Sequence, residues 1–314
     1  MVEPAKLQRW YREVLSDIDA WDQLVHCDRY LLYPSNLTTH VAIDEVAMKN
    51  SEFVTLLTSR NTKGHKGKLI SLVHGVRSAD IVSVINRIPL SLRNKVKEAT
   101  ADMSQSMLTA LEMCFPKARI VVDHFHVIQL VCDALQHFRI KLRWDAIELE
   151  NELIEQAKKQ NKKYQPYEYP NGETLKQLLA RGRYLLYKAS NQWSRSQKIR
   201  AQILFSIYPD LQKAYYYVLE FRRIYQNKKN KTDARKAFNR WMDKAHQNLP
   251  EEFNSAARSL RHHMEYILNF FKERSTNASA ESFNAAIKHF RALQKGVKDQ
   301  KMFLYRMEKL YASK

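Results

Sequence analysis

The chain has 314 residues, 45% of them hydrophobic, which is enough for one large or two modest domains and excludes a disordered chain. Lysine and arginine outnumber aspartate and glutamate by 52 to 33, and the net charge of +19 indicates a polyanionic partner, although a merely soluble basic protein has the same composition. Isolated cysteines, no apolar run of membrane-spanning length and no signal-peptide pattern predict a cytoplasmic protein without disulfides, zinc or membrane contact.

Apolar residues at helical spacing predict an amphipathic helix over 4–24, inside an N-terminal segment that we assign to 1–38. Strand-like runs follow at 39–47, 53–59 and 68–75, and a polar connector suited to a hairpin separates the last two. Strands joined by such tight connections are expected to be antiparallel.

Two further strands are predicted at 94–101 and 118–123, each after a helical segment, at 79–87 and 103–114. Strands separated by helices are expected to be parallel. The sequence therefore predicts an α/β fold, a mixed five-stranded sheet in ribonuclease H-like order, whose first part spans 39–135. Fold order alone does not establish a function.

From 136 to 274 the pattern is helical, apart from a loop at 160–173, and predicts a large all-helical insertion. The insertion carries 28 basic and 15 acidic residues, so +13 of the net charge lies there. Its basic residues alternate with aromatic residues, which suits contact with phosphates and stacking on nucleobases. Aromatic residues at helical spacing also suit a helical core. The candidate DNA-binding residues are Arg181, Arg183, Arg222, Arg223, Lys228 and Lys229.

The last segment, 275–314, is predicted to return to the sheet. Its helix at about 279–293 would place Glu281, Asn284 and Lys288 on one face. Together with Glu281, two acids of the predicted strands are candidates for a metal site: Asp44 inside the first strand and Asp102 at the end of the fourth. Carboxylates on separate elements are the ligands that Mg²⁺ prefers, and a pair of such ions supports phosphoryl transfer.

The second acid has an alternative candidate. Asp102 is also well placed to cap the following helix, whereas Asp123 and His126 form an Asp-x-x-His string that could bind metal or order a turn. We expect Asp102 to face Asp44 across neighbouring strands, with Asp123 outside the site or at its margin. Glu45 is left outside, because consecutive strand residues point to opposite faces.

Four strings carry a family resemblance over residues 39–310. They are Ile43-Asp44-Glu45, Ala101-Asp102-Met103, Phe115-Pro116-x-Ala118-x-Ile120-Val121-x-Asp123-x-Phe125-His126-Val127 and Thr276-Asn277-x-x-x-Glu281-x-x-Asn284-x-x-Ile287-Lys288. This pattern resembles the DDE transposases of bacterial insertion sequences, of the ISL3 type.

The resemblance implies a ribonuclease H-like catalytic domain with Asp44, Asp102 and Glu281 as catalytic and metal-binding acids. The residues in supporting or alternative roles would be Asp123, His126, Asn284 and Lys288. It also implies two Mg²⁺ or Mn²⁺ ions, DNA cleavage at the element ends, strand transfer to target DNA, and a homo-oligomer assembled on DNA in the bacterial nucleoid.

Longer members of that family begin with a cysteine-rich zinc segment and a helix-turn-helix module, and this sequence shows neither. We therefore expect either a separately encoded DNA-recognition protein or a truncated copy. Two alternatives to a transposase remain open: a DNA-binding remnant or domesticated protein without catalysis, and a ribonuclease H-like structure-specific nuclease. Strand-transfer products would distinguish the transposase from the nuclease.

Overall fold

The computed structural model describes residues 3–48, 52–60, 67–294 and 299–312. The chain divides into two compact units: Met1–Asp123 with Glu273–Lys314, and His124–Lys272. The second unit thus begins earlier than residue 136, where the sequence placed the start of the insertion. The connector predicted between the second and third strands lies largely outside the described residues.

Within the described ranges, the first unit contains a six-stranded mixed sheet in the order β1-β4-β3-β2-β5-β6. The strands are β1 Tyr30–Leu32, β2 His40–Ala47, β3 Phe53–Ser59, β4 Leu69–His74, β5 Glu98–Ala101 and β6 Arg119–Val122. Strands β1 to β4 pair antiparallel, whereas β5 pairs parallel with both β2 and β6. The predicted mixed sheet of a ribonuclease H-like fold is therefore confirmed.

The predicted number of strands, five, is wrong, because β1 lies in the N-terminal segment 1–38, where no strand is predicted. β1 has three residues and pairs at the sheet edge with β4. A strand this short shows too little alternation to be recognised in a sequence. The fourth predicted strand also begins later than expected, at Glu98, because the short helix α3 Leu90–Arg93 and its turn occupy the residues before it.

The predicted N-terminal helix is shorter than expected. It consists of α1 Pro4–Trp10, a π-helical turn at Tyr11–Leu15 and a 3₁₀ turn at Ile18–Ala20. The other helices of the first unit are α2 Ser78–Ile85, α4 Gln105–Cys114, α13 Ala278–Leu293 and α14 Gln300–Tyr311. Phe283 and Ile287 of α13 are buried in a hydrophobic cluster with residues of the sheet such as Leu56 and Leu72, which fixes α13 against it.

Within its described residues, the second unit contains helices and connecting loops and no strand. Its helices are α5 His124–Lys159, α6 Leu175–Arg181, α7 Arg183–Tyr187, α8 Arg195–Ile207, α9 Pro209–Asn227, α10 Lys231–Asn248, α11 Glu252–His262 and α12 Met264–Glu273, whose last residue belongs to the first unit. Tyr215, Phe221 and Trp241 are fully buried, so these aromatic residues form a core. No helix among the residues described is long and apolar enough to span a membrane.

Glu173, a buried carboxylate before α6, links elements of the second unit. It accepts hydrogen bonds from Arg200 at 2.5 and 2.8 Å, from Arg181 at 2.7 Å and from Asn171 at 2.9 Å. The Arg200 hydrogen bond is the main cause that lowers the pKa of Glu173 to about 2, against the raising effect of burial.

We expect this depressed pKa to make the second unit sensitive to acid. A carboxylate whose pKa is lower in the folded state stabilises the protein above its unfolded pKa, and the contribution is lost as the pH falls toward about 2. The loss should reach at most about 3 kcal/mol. Urea unfolding between pH 5 and pH 2 measures it, and Glu173→Gln should flatten this part of the profile. An unchanged profile in that variant would contradict the assignment.

Candidate active site

Three aspartates lie at one edge of the sheet. Asp102 and Asp123 are the first residues after β5 and β6, and Asp44 lies inside β2, which extends further because it also pairs with β3. Continuing the observed registers of β2 with β5 and of β5 with β6 puts the three residues at the same level. The carboxyl ends of parallel strands are where open α/β sheets place their chemistry.

Asp44 is buried and both its oxygens are engaged. Oδ1 accepts a hydrogen bond from the backbone N–H of Glu45 at 2.8 Å, and Oδ2 accepts one from the side-chain amide of Asn284 at 2.5 Å. Hydrogen bonds donated to a carboxylate favour its charged form. The contact with Asn284 also ties the middle of α13 to β2.

Asp123 is 1% exposed, and its Oδ2 accepts a hydrogen bond from the backbone N–H of Asn277 at 3.0 Å. Asn277 is itself fully buried. Its side-chain oxygen accepts a hydrogen bond from Thr100 Oγ1 at 2.9 Å, and its side-chain nitrogen donates one to the carbonyl of Ile43 at 3.3 Å. Asn277 therefore joins the start of α13 to β2, to β5 and to the end of β6.

Glu281 is exposed in the first turn of α13, and one of its carboxylate oxygens lies within 4.8 Å of an oxygen of Asp123. We expected Asp123 at the margin of the site, whereas the structure places it beside Glu281. The physical reason is Asn277, which holds Asp123 at the start of the helix, about one turn before Glu281. His126 follows in the first turn of α5, three residues along the chain from Asp123.

Asp102 is half-buried and lies near Glu45, which the sequence analysis left outside the site. Burial raises the pKa of Glu45, and the negative charge of Asp102 adds to this rise. The rule of alternating faces excluded Glu45, but Asp102 lies beyond the last residue of β5, where alternation no longer fixes the direction of a side chain. The position of Glu45 relative to Asp102 could not be predicted from sequence for this reason.

The residues at this edge fit a hard divalent cation. Asp123 and Glu281 bring carboxylate oxygens together. Asn284, which is bonded to Asp44, has a buried carbonyl oxygen, Oδ1, with no hydrogen-bond donor among the residues described. Mg²⁺ and Mn²⁺ prefer such oxygen ligands. The structure does not place Asp44 or Asp102 in the same group of metal-ligating atoms, within the described part of the chain.

A second cluster, formed by His40, Glu98 and Glu273, also has closely spaced ligand atoms, but arginines neutralise it. Arg119 pairs with Glu98 and Glu273, and Arg60 pairs with Glu98. Burial alone would raise the pKa of Glu98, but hydrogen bonds from Ser275 and both arginines hold it below its usual value.

This cluster anchors the chain segment that leads into α13. The guanidinium of Arg60 donates to Ser275 Oγ at 3.1 Å and to the carbonyl of Thr276 at 3.3 Å. Because two guanidinium groups would repel a cation, we assign the cluster a structural role: it fixes the entry to the helix that carries Glu281.

The six candidate DNA-binding residues differ in their surroundings. Arg183, Arg223 and Lys229 are exposed, and Lys228 is half-buried. Arg181 is exposed but pairs with Glu173, and Arg222 donates to the carbonyl of Tyr187 at 2.8 Å and to Cys132 Sγ at 3.0 Å. Arg222 therefore contributes to the packing of the second unit. Lys288 lies on the exposed face of α13.

Comparison with known protein families gives one match. The model of the ISL3-type DDE family, described as transposase, matches residues 41–307. The matched segment runs from β2 into α14 and includes every acid discussed above as part of the sheet edge. A search of curated proteins found no match.

Proposed function

Because the chain belongs to the ISL3-type family of DDE transposases, we propose that it is a catalytic subunit that cleaves the ends of an insertion sequence and joins them to target DNA. The observation that carries this proposal is the convergence of acids at one edge of the sheet. Asp44, Asp102 and Asp123 share one level on neighbouring strands, and α13 brings Glu281 to Asp123.

We assign the roles of catalytic and metal-binding acids to Asp44, Asp102 and Glu281, which would hold two Mg²⁺ or Mn²⁺ ions. Such ions neutralise charge on the scissile phosphate and lower the pKa of the attacking water or hydroxyl. Asp123, with His126 three residues after it in the sequence, supports the site by fixing the start of α13. Lys288, on the exposed face of α13, is suited to contact a DNA phosphate.

The excess of basic residues in the helical unit suits the DNA partner of this reaction. Transposition joins two ends to one target, so we propose that the chain acts as a homo-oligomer on DNA. A separately encoded protein is our proposal for the recognition of the element ends. Transposition would take place in the bacterial cytoplasm, at the nucleoid.

The proposal is tested with DNA fragments that carry the inverted repeats flanking the gene, a supercoiled target plasmid and Mg²⁺. We expect cleavage at the fragment ends followed by joined products, both absent with EDTA. Cleavage without joined products would favour the structure-specific nuclease. DNA binding without cleavage, in the presence of a candidate recognition protein, would favour the non-catalytic remnant.

DNA binding is expected to be mainly electrostatic and concentrated in the helical unit. Replacing Arg183, Arg223 and Lys229 by alanine should weaken binding and reduce the slope of log Kd against log salt by about 0.9 for each phosphate that the variant no longer neutralises, or up to about 3 in total. Fluorescence anisotropy between 50 and 200 mM salt measures the slope. Over this range of salt, the affinity of a strongly basic protein for DNA falls by about 10³-fold or more.

The matched control replaces three exposed lysines of the first unit, Lys95, Lys97 and Lys117. This variant removes the same charge but should keep most of the slope. Arg181 and Arg222 are left intact in both variants, because their hydrogen bonds within the second unit make loss of folding a competing explanation. Equal slopes for the wild type and the first variant would overturn the prediction.

A further inference from the structure

Asn284 lies in α13 about one turn after Glu281 and is 6% exposed. Its Nδ2 donates a hydrogen bond to Oδ2 of Asp44 at 2.5 Å. An ionised carboxylate can only accept hydrogen bonds, so the amide nitrogen of Asn284 must face Asp44. The amide oxygen, Oδ1, must then face away from that carboxylate oxygen.

Oδ1 of Asn284 is enclosed and accepts no hydrogen bond from any residue in the described ranges. The side chain cannot readily turn to solvent, because its neighbours Phe283 and Ile287 hold this part of α13 against the sheet. A buried carbonyl oxygen without a donor is destabilising, and such a group in a folded protein calls for a specific reason. A hydrogen-bond donor that belongs to a ligand at Asp44 would be such a reason.

We infer that Asn284 is a positioning residue for a hydrated divalent cation at Asp44, an inference that rests on the proposed function. Its N–H group fixes the orientation of the Asp44 carboxylate. Its Oδ1 accepts a hydrogen bond from a water molecule of the hydrated ion, since Mg²⁺ usually keeps several of its waters in proteins. The amide of Asn284 thus orients both the Asp44 carboxylate and a water molecule bound to the same ion.

Spacing placed Asn284 on the same face of the helix as Glu281 but gave it no partner. In the structure, the hydrogen-bond partner of Asn284 is Asp44, an acid that lies 240 residues earlier in the chain. α13 therefore presents an acid and a neutral amide, about one turn apart, toward the same edge of the sheet.

Binding of Mn²⁺ to the full chain without DNA tests the inference, with free Mn²⁺ followed by electron paramagnetic resonance. Residues that orient a metal ligand typically contribute 10- to 100-fold to metal affinity. Asn284→Leu should therefore weaken Mn²⁺ binding by about 10-fold or more. Asn36→Asp is the matched control: Asn36 is a structural asparagine of the same unit, which donates to the carbonyls of Leu69 and Ala312, and its replacement should leave Mn²⁺ affinity unchanged.

The Tm of Asn284→Asp, measured with and without Mn²⁺, provides a second test that can be used even if Asn284→Leu does not fold. Asn284→Asp puts a carboxylate beside Asp44, so Tm should fall in the absence of metal and rise with Mn²⁺ by more than it does in the wild type. For Asn36→Asp, Mn²⁺ should produce the wild-type increase in Tm. A merely structural hydrogen bond would give a loss of Tm that Mn²⁺ does not recover.

Two results separate this inference from the proposed function. If Asp44→Ala loses Mn²⁺ binding while the Asn284 variants bind within twofold of the wild type, the role of Asn284 is refuted and the metal site remains. If Asp44→Ala binds Mn²⁺ as the wild type does, the metal site at Asp44 itself is refuted, and the inference with it.

Discussion

Replacing Asp44, Asp102 or Glu281 by alanine is expected to lower the rate of DNA cleavage at least about 10³-fold, with DNA binding largely retained. A bound metal ion contributes several kcal/mol of charge stabilisation to phosphoryl transfer, which is lost when a ligand is removed, and about 4 kcal/mol corresponds to about 10³ in rate. Single-turnover cleavage with saturating Mg²⁺ and protein in excess over DNA measures this decrease without interference from product release.

The three positions call for different controls of folding. Glu281 is exposed and Asp102 is half-buried, so their truncation should cost little stability. Asp44 is buried and accepts the amide of Asn284, so Asp44→Asn is the gentler variant there. Asp19→Ala, at an exposed acid of the same unit, should leave cleavage unchanged. Near-normal cleavage by any of the three variants with Mg²⁺ would remove that residue from the triad.

The order of the sheet could be predicted from the sequence because it depends on local signals. Apolar runs mark β2, β3, β4 and β6, short connections imply antiparallel pairs, and helical segments before β5 and β6 imply parallel ones. β1 could not be predicted, because a three-residue strand at the edge depends on its partner β4 for its conformation. The π-helical turn after α1 likewise has no sequence pattern of its own.

The three aspartates of the candidate site were identified because each lies within or at the end of a strand-like run, and Glu281 because of its position on one face of a predicted helix. What holds them in place was not visible, since it depends on contacts between distant segments. Asn277 illustrates this limit: it immediately precedes α13 in the sequence, and its side chain bonds Thr100 and the carbonyl of Ile43, which are far from it along the chain. The proximity of Asp123 to Glu281 follows from the hydrogen bond that the backbone N–H of Asn277 donates to Asp123, and not from any spacing along the chain.

Charge composition had a similar limit in the helical unit. A count of lysines and arginines treats each as available to DNA, but Arg222 uses its guanidinium within the unit and Arg181 neutralises Glu173. Residues that stabilise the fold and residues that contact phosphate are equally basic. Only exposure and bonding separate them, which is why the binding test above is restricted to Arg183, Arg223 and Lys229.

Asp102 and Asp123 are expected to differ in what their replacement costs, and this difference decides which one is the second catalytic acid. Asp123 is 1% exposed and accepts the backbone N–H of Asn277. Asp123→Asn should therefore lower the free energy of unfolding by about 1.5–3 kcal/mol, the range for a hydrogen bond to a charged group. Asp102→Asn, at a half-buried residue, should cost less than about 1 kcal/mol and still abolish cleavage.

Cysteine substitution then distinguishes a metal ligand from a residue that only supports the site. Mn²⁺ is a larger ion than Mg²⁺ and accepts sulfur more readily. Asp102→Cys should be inactive with Mg²⁺ and regain cleavage with Mn²⁺, whereas Asp123→Cys should regain none, because its replacement acts through the position of α13. The half-buried carboxylate of Asp102 is also the one of the two that a DNA phosphate can approach. Recovery by Asp123→Cys alone would instead make Asp123, beside Glu281, the second metal ligand.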